Sequence, residues 1–455
     1  MAAGAQALAA GMAVVAAADW RAVAGIALSS AATAYAALAA AISCRTAHRG
    51  TGGHGANRVR YDTGMHAGAD AANAAAVQAV EPQAVSVLKP LCGDEPGLYG
   101  NLATFCHQAH PRYQIVFGVR DAADPAVQVV RRLQAEYPGC DIALAINPAR
   151  HGSNPKVSNL INMLALARHD LLVLADADIA VAPDYLQRVT APLVDTRTGV
   201  VTSLYRGRAV GGWWSRLGAQ FIDDWFAPSV RVAHAGGSSS FAFGATIALR
   251  RDALHTVAGF RALADRLADD YWLGELTRRH GLATVLSDVV VRTDVTEDSL
   301  PALWRHELRW MRTIRSLNPA GFAFTFITFT WPMLLIGLVL APGPLSAALL
   351  IVGGLARSML AAAAAAADSH ARGAPTGPAA QAPGTASGVA VAPLAAVLRA
   401  PVRDLLLLAE WAAALVGSRV HWREDIFTVR DRIPVAPLSS PSTPSRETTL
   451  PERTP

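Results

Sequence analysis

Two aspartates, Asp176 and Asp178, stand one residue apart directly after the apolar run LLVLA at residues 171–175. The run has the composition of a buried strand, so the two carboxylates would emerge where that strand ends. An Asp-x-Asp pair at such a position can bind a hard divalent cation, Mg2+ or Mn2+, through its oxygens. The ion would then neutralise a diphosphate leaving group. The alternatives are a pair of helix-capping aspartates, or the metal pair of a phosphatase or kinase.

Further carboxylates follow or precede other apolar segments. Asp121 and Asp124 come after the run YQIVFGV, and Asp269 and Asp270 precede the aromatic pair of DDYWLG. One carboxylate for a nucleoside, two for a metal and one as a base form the set that sugar transfer from a nucleotide sugar requires. Each alone has a structural alternative as a helix cap or a solvated charge. Their joint occurrence favours the catalytic interpretation.

Side chains spread so widely along the chain can meet only if a sheet brings the strand ends together. Between residues 84 and 318, strand-like runs alternate with segments of helical periodicity. The strand-like runs are AVSVLKPL, YQIVFGV, DIALAIN, DLLVLADADIAV and TGVVTSLY, and the helical segments include PAVQVVRRLQAEY and KVSNLINMLALAR. This alternation predicts an α/β fold with a mainly parallel sheet and helices on both faces. Ligands of such sheets bind beyond the carboxyl ends of the strands, where the aspartates are predicted.

The composition indicates membrane segments beside this domain. Hydrophobic residues make up 52% of the chain and charged residues only 16%, which is unusual for a purely soluble protein. Residues 22–43, 321–341 and 345–367 are each long enough to cross a bilayer. Charged residues interrupt 389–417, which could be a further span or an interfacial amphipathic helix.

These segments divide the chain into five predicted parts. They are an N-terminal membrane anchor (1–43), a flexible linker (44–80), the α/β domain (81–320), C-terminal transmembrane or interfacial helices (321–417) and a mostly disordered tail (418–455). Arginines after the first span favour a multi-pass protein whose α/β domain lies in the cytoplasm. A cleaved signal peptide is the alternative for the first apolar segment, but no charged stretch precedes it.

The charged and sulfur-containing residues narrow the function further. A net charge of +5 is small and scattered, and no aromatic-basic stripe accompanies it, so no nucleic-acid partner is expected. The four cysteines have the spacing of neither a zinc site nor a disulfide framework.

Lys89 and Lys156 are the only lysines among 40 basic residues. Their retention in an arginine-rich chain suggests a specific fit, with a surface or capping lysine as the alternative.

Over residues 84–320 the chain resembles the ceramide glucosyltransferase family, and within it the bacterial glycosyltransferases of hopanoid biosynthesis. The resemblance lies in VSVLKPLCGDEPGLYGNLATFCHQAHPRYQIVFGVRDAADPA, HGSNPKVSNLINMLALARHDLLVLADADIAVAPDYL, LADDYWLGELTRRHGLATVLSD and HELRWMRTIR. It implies a membrane-bound enzyme of the GT-A fold that uses a UDP-sugar donor and inverts the anomeric centre.

The resemblance also implies roles for individual residues. Asp121 matches the aspartate assigned to nucleotide recognition, and Asp176 matches the second aspartate of the family pattern. Asp178 completes the metal-binding pair, and Asp270 matches the expected general base.

The family pattern ends in Gln/Arg-x-x-Arg-Trp, which Arg309 and Trp310 match. These two residues are expected near the donor diphosphate and the acceptor entrance. His306 stands where the pattern has Gln or Arg, and we assign it a weaker donor-binding role because a histidine can still donate a hydrogen bond. Lys89 and Lys156 are predicted to assist on the donor side.

The acceptor follows from the membrane flanks and from the resemblance. A domain held at the bilayer surface suggests a membrane lipid with a hydroxylated head group. The hopanoid likeness implies transfer of N-acetylglucosamine from its UDP donor to bacteriohopanetetrol, with glucosyl transfer to ceramide as the alternative. A processive polysaccharide synthase would have Gln-x-x-Arg-Trp and more spans. A non-catalytic membrane scaffold would need no carboxylates at strand ends.

Overall fold

The computed structural model describes residues 20–51, 82–373, 388–422 and 425–428. Most of the predicted linker and tail lie outside the described residues. The helices are α1 (Trp20–Thr51), α2 (Leu98–Cys106), α3 (Ala126–Glu136), α4 (Pro155–Leu164), α5 (Tyr185–Thr190), α6 (Trp213–Phe221), α7 (Ala227–Ala235), α8 (Arg251–Thr256), α9 (Asp269–Arg279), α10 (Leu300–Leu317), α11 (Pro319–Phe324), α12 (Thr330–Leu340), α13 (Pro344–Gly373) and α14 (Gly388–Ala414). The strands are β1 (Val85–Pro90), β2 (Tyr113–Val119), β3 (Asp141–Ile146), β4 (Leu171–Ala175), β5 (Ile179–Ala180), β6 (Thr198–Ala209), β7 (Thr246–Arg250), β8 (Ala283–Val295), β9 (Arg419–Trp422) and β10 (Asp425–Thr428).

An eight-stranded sheet organises the α/β domain in the order β3-β2-β1-β4-β7-β6-β8-β5. The neighbours β3, β2, β1 and β4 run parallel to one another, as do β6 and β8. Strand β7 lies antiparallel between β4 and β6, and β5 lies antiparallel to β8. The predicted α/β fold is confirmed. The sheet is mixed because of β7 and β5, and the run TIALR of β7 was not among the predicted strands.

The sheet separates two hydrophobic clusters. Val85 and Val87 of β1 pack into the cluster on one face, whereas Leu88 packs into the cluster on the other. This follows from the alternation of side chains along a strand. A third cluster joins the α/β domain to the C-terminal helices, since it contains Phe221 of α6, Met311 of α10, Phe322 of α11 and Leu407 of α14 among its buried residues.

Within the described residues, two helices are long and apolar enough to cross a bilayer, Trp20–Thr46 and Pro344–Ala367. The predicted span 321–341 is not one continuous helix, because Pro319–Thr328 and Thr330–Leu340 meet at an angle of 74°. Pro332 lies in the first turn of α12 and has no N–H to donate to a carbonyl of the preceding turn. The helix therefore restarts at Thr330.

The other predicted boundaries also shift. Helix α1 runs to Thr51, beyond the predicted end of the anchor at 43. Strands β9 and β10 pair antiparallel inside the segment predicted as a disordered tail. Helix α14, the ambiguous segment 389–417, is not among the candidate spans found in the described part of the chain. Its Arg403 and Glu410 point into the protein and are fully buried.

Candidate functional site

A cavity of about 930 Å³ opens beyond the carboxyl ends of β1, β2 and β4. The loop after β1 forms one side and α10 forms another. The position agrees with the prediction that ligands bind at the carboxyl edge of the sheet. The cavity is lined by most of the predicted site residues, namely Lys156, Asp176, Asp178, Asp270, His306, Arg309 and Trp310.

Lys156 and Asp176 form an ion pair on the cavity wall. The Nζ atom of Lys156 lies 2.6 Å from Oδ1 of Asp176 and 4.0 Å from Oδ2 of Asp269. Asn154 caps α4 by accepting a hydrogen bond from the Val157 nitrogen at 3.1 Å, and this cap fixes the first turn that carries Lys156. Burial opposes the ammonium charge, but the carboxylates of Asp176 and Asp269 outweigh it and raise the pKa of Lys156.

Asp178 lies beside Asp176, and both residues are half-buried. Its Oδ2 atom accepts a hydrogen bond from Thr293 of β8 at 2.8 Å. Burial and the neighbouring carboxylate of Asp176 raise the pKa of Asp178 to about 7. The pair thus brings two carboxyl groups close together on the cavity wall, and a bound cation would favour their charged forms.

These two carboxylates fit a shared divalent cation better than a site made by the protein alone. In the described part of the chain, no group of three or more His, Cys, Asp or Glu side chains converges as a metal site. Mg2+ typically uses one or two carboxylates and completes its shell with water and substrate phosphates. Asp176 and Asp178 border a cavity large enough for such a substrate.

Lys89 lies behind the cavity and does not line it. Its side chain is fully buried, and its Nζ donates a hydrogen bond to the main-chain oxygen of Asp176 at 2.7 Å. The same Nζ lies 3.7 Å from the ring centroid of Phe105. Burial lowers the pKa of Lys89 to about 7, against the opposing influence of Asp178 and Asp176. The prediction that Lys89 contacts the donor therefore has no support from its position, because its ammonium holds the end of β4 instead.

Asp270 lies in the first turn of α9, and main-chain groups hold its carboxylate in place. Oδ2 accepts a hydrogen bond from the Gly244 nitrogen at 2.8 Å, and Oδ1 accepts one from the Tyr271 nitrogen at 2.7 Å. Burial raises the pKa of Asp270. Burial also raises the pKa of its neighbour Asp269, to about 6.

Gly244 lies at the centre of this arrangement, and no sequence pattern pointed to it. A Cβ atom there would lie 3.2 Å from Nζ of Lys156, 3.3 Å from Oδ2 of Asp270 and 3.4 Å from Oδ2 of Asp176. The Asp270 and Asp176 carboxylates are therefore within about 7 Å of each other. Glycine leaves this space open for a substrate.

Asp121 does not line the cavity, although its neighbour Arg120 does. The Asp121 side chain is exposed and accepts a hydrogen bond from the Ala123 nitrogen at 2.9 Å. Asp124 accepts one from the Gly93 nitrogen at 3.0 Å and so shapes the loop after β1. The nucleotide role of Asp121 stays a prediction.

Helix α10 brings His306, Arg309 and Trp310 to the cavity together. Nδ1 of His306 donates a hydrogen bond to Glu297, and the His306 and Trp310 rings meet edge to face at 4.4 Å. Burial acts to raise the pKa of Glu297, but the His306 hydrogen bond lowers it. Burial lowers the pKa of Arg309, while the nearby Asp270 carboxylate among others acts in the opposite direction.

Several lining residues were not predicted. They are Arg120, Arg150, Tyr205, Glu297 and Glu307 among others. Arg120 and Arg150 follow β2 and β3, so their positions after strand ends were a signal of the same kind as that of the aspartates. Glu297 follows β8, a strand that the sequence analysis did not identify.

The sequence matches one protein family over most of its length. The model of glycosyl transferase family 21 matches residues 56–433. Ceramide glucosyltransferase 3 of Caenorhabditis elegans is 25% identical over 239 residues, or 52% of this chain and 51% of that protein. Ceramide glucosyltransferase of Komagataella phaffii is 30% identical over 115 residues, or 24% of this chain and 23% of that protein. The chain thus spans about half the length of the first relative and about a quarter of the second.

Solved structures show weaker similarity. The mannosyltransferase PcManGT from Pyrobaculum calidifontis, solved with GDP-Man and Mn2+, has a TM-score of 0.43 at 19% identity and covers 87% of this chain and 99% of its own. Glucosyl-3-phosphoglycerate synthase from Mycobacterium tuberculosis, solved with Mn2+, UDP and glucosyl-3-phosphoglycerate, has a TM-score of 0.33 at 17% identity. It covers 51% of this chain and 79% of its own. Because both TM-scores are below 0.5, the family assignment rests on the sequence match.

Proposed function

Because this chain belongs to glycosyl transferase family 21, we propose that it transfers a sugar from a UDP-sugar donor to a hydroxyl group of a membrane lipid. The observation that carries this proposal is the meeting of Asp176, Asp270 and Lys156 around Gly244 in one cavity. Helix α10 closes that cavity and also packs against α11 and α14 of the membrane-associated part. A polar reaction centre next to apolar helices suits a lipid acceptor.

The proposed chemistry is a single in-line displacement that inverts the anomeric carbon. The acceptor oxygen forms a bond to that carbon while the bond from the carbon to the UDP phosphate oxygen breaks. Asp270 accepts the proton of the attacking hydroxyl. Its hydrogen bond from Gly244 orients the carboxylate, and its raised pKa makes it a stronger base than an exposed aspartate.

Charge neutralisation on the leaving side would come from Arg309 and Lys156, both of which line the cavity. Asp176 and Asp178 would hold Mg2+ or Mn2+, which neutralises the negative charge of the diphosphate when bound. The Lys156 ammonium already pairs with Asp176, so it also limits the repulsion between the two carboxylates. His306 and Asp121 are the proposed auxiliary donor-binding residues.

Two acceptors have separate support. The motifs HGSNPKVSNLINML and HELRW resemble those of the hopanoid branch of the family. This resemblance favours bacteriohopanetetrol as the acceptor and N-acetylglucosamine as the sugar. The names of the curated relatives favour ceramide, with glucose as the sugar. Both acceptors offer a hydroxyl on an apolar body, so the carboxylates of the site do not discriminate between them.

An assay with purified protein in lipid nanodiscs tests the proposal. We expect UDP release from UDP-N-acetylglucosamine or UDP-glucose that depends on an added lipid acceptor, with the glycosylated lipid identified by mass spectrometry. Bacteriohopanetetrol and ceramide are supplied in separate reactions, so the product distinguishes the two acceptors. A protein that binds no UDP-sugar and releases no UDP with either lipid contradicts the proposed function.

The proposal includes a location. The candidate spans Trp20–Thr46 and Pro344–Ala367 support membrane association. We propose the inner membrane of a bacterium, with the catalytic domain over residues 81–320 in the cytoplasm, where UDP-sugars are made. A reporter cysteine introduced between residues 52 and 75 tests this topology. In intact cells it should resist an impermeant reagent, and ready labelling would reverse the orientation.

A further inference from the structure

Three buried charged side chains connect the cavity wall to α14. Nη1 of Arg403 donates a hydrogen bond to Oε1 of Glu307 at 3.0 Å, and Nη2 lies 2.8 Å from Oε2 of the same residue. Nη2 also donates to Oε2 of Glu410 at 2.9 Å. Arg403 and Glu410 are fully buried on α14, whereas Glu307 belongs to α10 and lines the cavity. We refer to Glu307, Arg403 and Glu410 as the α10–α14 charge cluster.

A second set of contacts fastens the end of α14 to α10. Arg312 of α10 donates to the carbonyl of Val416 at 3.1 Å, and Arg315 donates to that of Gly417 at 2.5 Å. Arg315 also donates to the carbonyl of Ala414, the last residue of α14, and the last carbonyls of a helix lack partners inside it. The two sets of contacts are about one and a half to two helical turns apart along α10 and hold it at both points.

The charge cluster restricts how α10 and α14 can pack. A guanidinium that contacts both oxygens of a carboxylate is directional, so it tolerates little sliding or rotation of the two helices. Burial strengthens the restriction. Any packing that separates Arg403 from Glu307 leaves each buried charge without its ionic partner, and no water is there to replace that partner. Glu307 is flanked on α10 by His306 and Arg309, which line the cavity. The orientation of α10 therefore sets where these side chains lie.

We propose that Arg403 is a positioning residue for the glycosyl transfer, acting through Glu307 to hold α10 and its cavity-lining side chains in register. This inference rests on the proposed function, since it assigns α14 a part in the activity of that same cavity. In this proposal α14 is a component of the active-site wall, and membrane attachment is not its only role.

The chain offers a matched control in a second buried charge cluster. Nη2 of Arg357 lies 2.7 Å from Oδ1 of Asp404, and Nη1 lies 3.1 Å from Oδ2 of Asp224. All three side chains are buried, and Asp404 is adjacent to Arg403 on α14. None of these three described residues lines the cavity.

The experiment compares two double variants that change the same chemical groups. Arg403→Met/Glu410→Gln removes a guanidinium and an α14 carboxylate and leaves Glu307, and Arg357→Met/Asp404→Asn does the same and leaves Asp224. Both are purified into nanodiscs and checked by size-exclusion chromatography and thermal unfolding. The kcat and the KM for the UDP-sugar are measured with the acceptor that the wild type uses. Donor binding is measured separately by calorimetry.

We expect Arg403→Met/Glu410→Gln to lower kcat by about tenfold or more, because small displacements of catalytic groups are costly. The KM for the donor should change little, and Arg357→Met/Asp404→Asn should keep kcat near the wild-type value at a similar loss of thermal stability. Equal kcat values for the two double variants would overturn the inference, as would a wild-type kcat in Arg403→Met/Glu410→Gln.

A further variant covers the case in which the buried substitutions prevent folding. Arg312→Gln/Arg315→Gln loosens the end of α14 without leaving a buried charge, and we expect a smaller fall in kcat with an unchanged donor KM. Wild-type kcat in this variant would contradict the positioning role. If the wild-type protein itself shows no turnover of UDP-sugar, the proposed function fails. If the wild type and the variants are equally active, the proposed function stands and only the positioning role of Arg403 fails.

Discussion

The main-chain nitrogen of Gly244 donates a hydrogen bond to Oδ2 of Asp270 at 2.8 Å. This bond joins the segment before β7 to the first turn of α9. It leaves the Asp270 carboxylate facing the same space as Asp176 and Lys156, because a Cβ on Gly244 would touch all three. The proposed base, the proposed partners of the diphosphate and the open space thus meet at one backbone position.

Replacing the proposed base tests the chemistry directly. We expect Asp270→Asn to lower kcat by on the order of a hundredfold, because the amide cannot accept the hydroxyl proton. Donor affinity should be nearly unchanged, which separates chemistry from binding. The measurement is steady-state kinetics together with donor calorimetry. Asp170→Asn, at a side chain that is 93% exposed, is the control. A wild-type kcat in Asp270→Asn would assign the base elsewhere.

Gly244→Ala tests whether the space at the centre of the site matters. The added methyl group would sit 3.2 Å from Nζ of Lys156 and 3.3 Å from Oδ2 of Asp270, so one or both must shift. We expect kcat/KM to fall by about tenfold or more, with a small effect on thermal stability. Gly139→Ala adds a methyl group where no atom lies within 4 Å and should behave as wild type. Equal activities of the two variants would contradict the crowding argument.

Metal removal tests the role of the carboxylate pair. Excess chelator should abolish transfer, and added Mg2+ or Mn2+ should restore it, because the diphosphate charge then has its counter-ion. Asp178→Asn keeps an acceptor for Thr293 but should require a higher metal concentration for half-maximal activity. The measurement is a metal titration of UDP release. Undiminished activity in chelator would exclude this use of Asp176 and Asp178.

Lys89→Met tests whether the hydrogen bond from Lys89 to the main chain of Asp176 stabilises the end of β4. The variant removes the donor to the Asp176 carbonyl and leaves that partly buried oxygen without this hydrogen bond. We expect a loss of about 1–3 kcal/mol in the free energy of unfolding, together with reduced turnover. Thermal unfolding of the purified protein measures the first effect. Unchanged stability would show that water replaces the ammonium.

The carboxylates at the strand ends could be predicted because an apolar run followed by acidic residues marks the edge of a sheet in the sequence. Asp176 and Asp178 follow a buried run, and the structure brings them into the cavity with Asp270. Lys89 was singled out only because lysine is rare in this chain, and its Nζ contacts the main-chain oxygen of Asp176 outside the cavity lining. The alternation of β1 was informative, since Lys89 lies two residues after Val87 and points to the same interior face.

Other parts of the site depend on contacts between residues that are far apart in the sequence, and no local sequence pattern reveals such contacts. Gly244 matters because of three side chains that come from distant segments. In the sequence, Glu307 looks like an ordinary polar residue of an amphipathic helix. Its partner Arg403 is 96 residues further along the chain. Tertiary pairing of this kind overrides the sequence rule that charged residues face solvent. The same rule made 389–417 ambiguous.

The third hydrophobic cluster sets a limit on how this protein can be divided. Its buried residues come from α6 and α10 on one side of the predicted boundary at residue 320, and from α11 and α14 on the other. A fragment truncated after α10 would expose Met311 and leave Glu307 without its guanidinium. It would be expected to aggregate instead of behaving as a soluble enzyme. Chimeras that exchange acceptor preference between relatives should therefore transfer α14 together with the α/β domain.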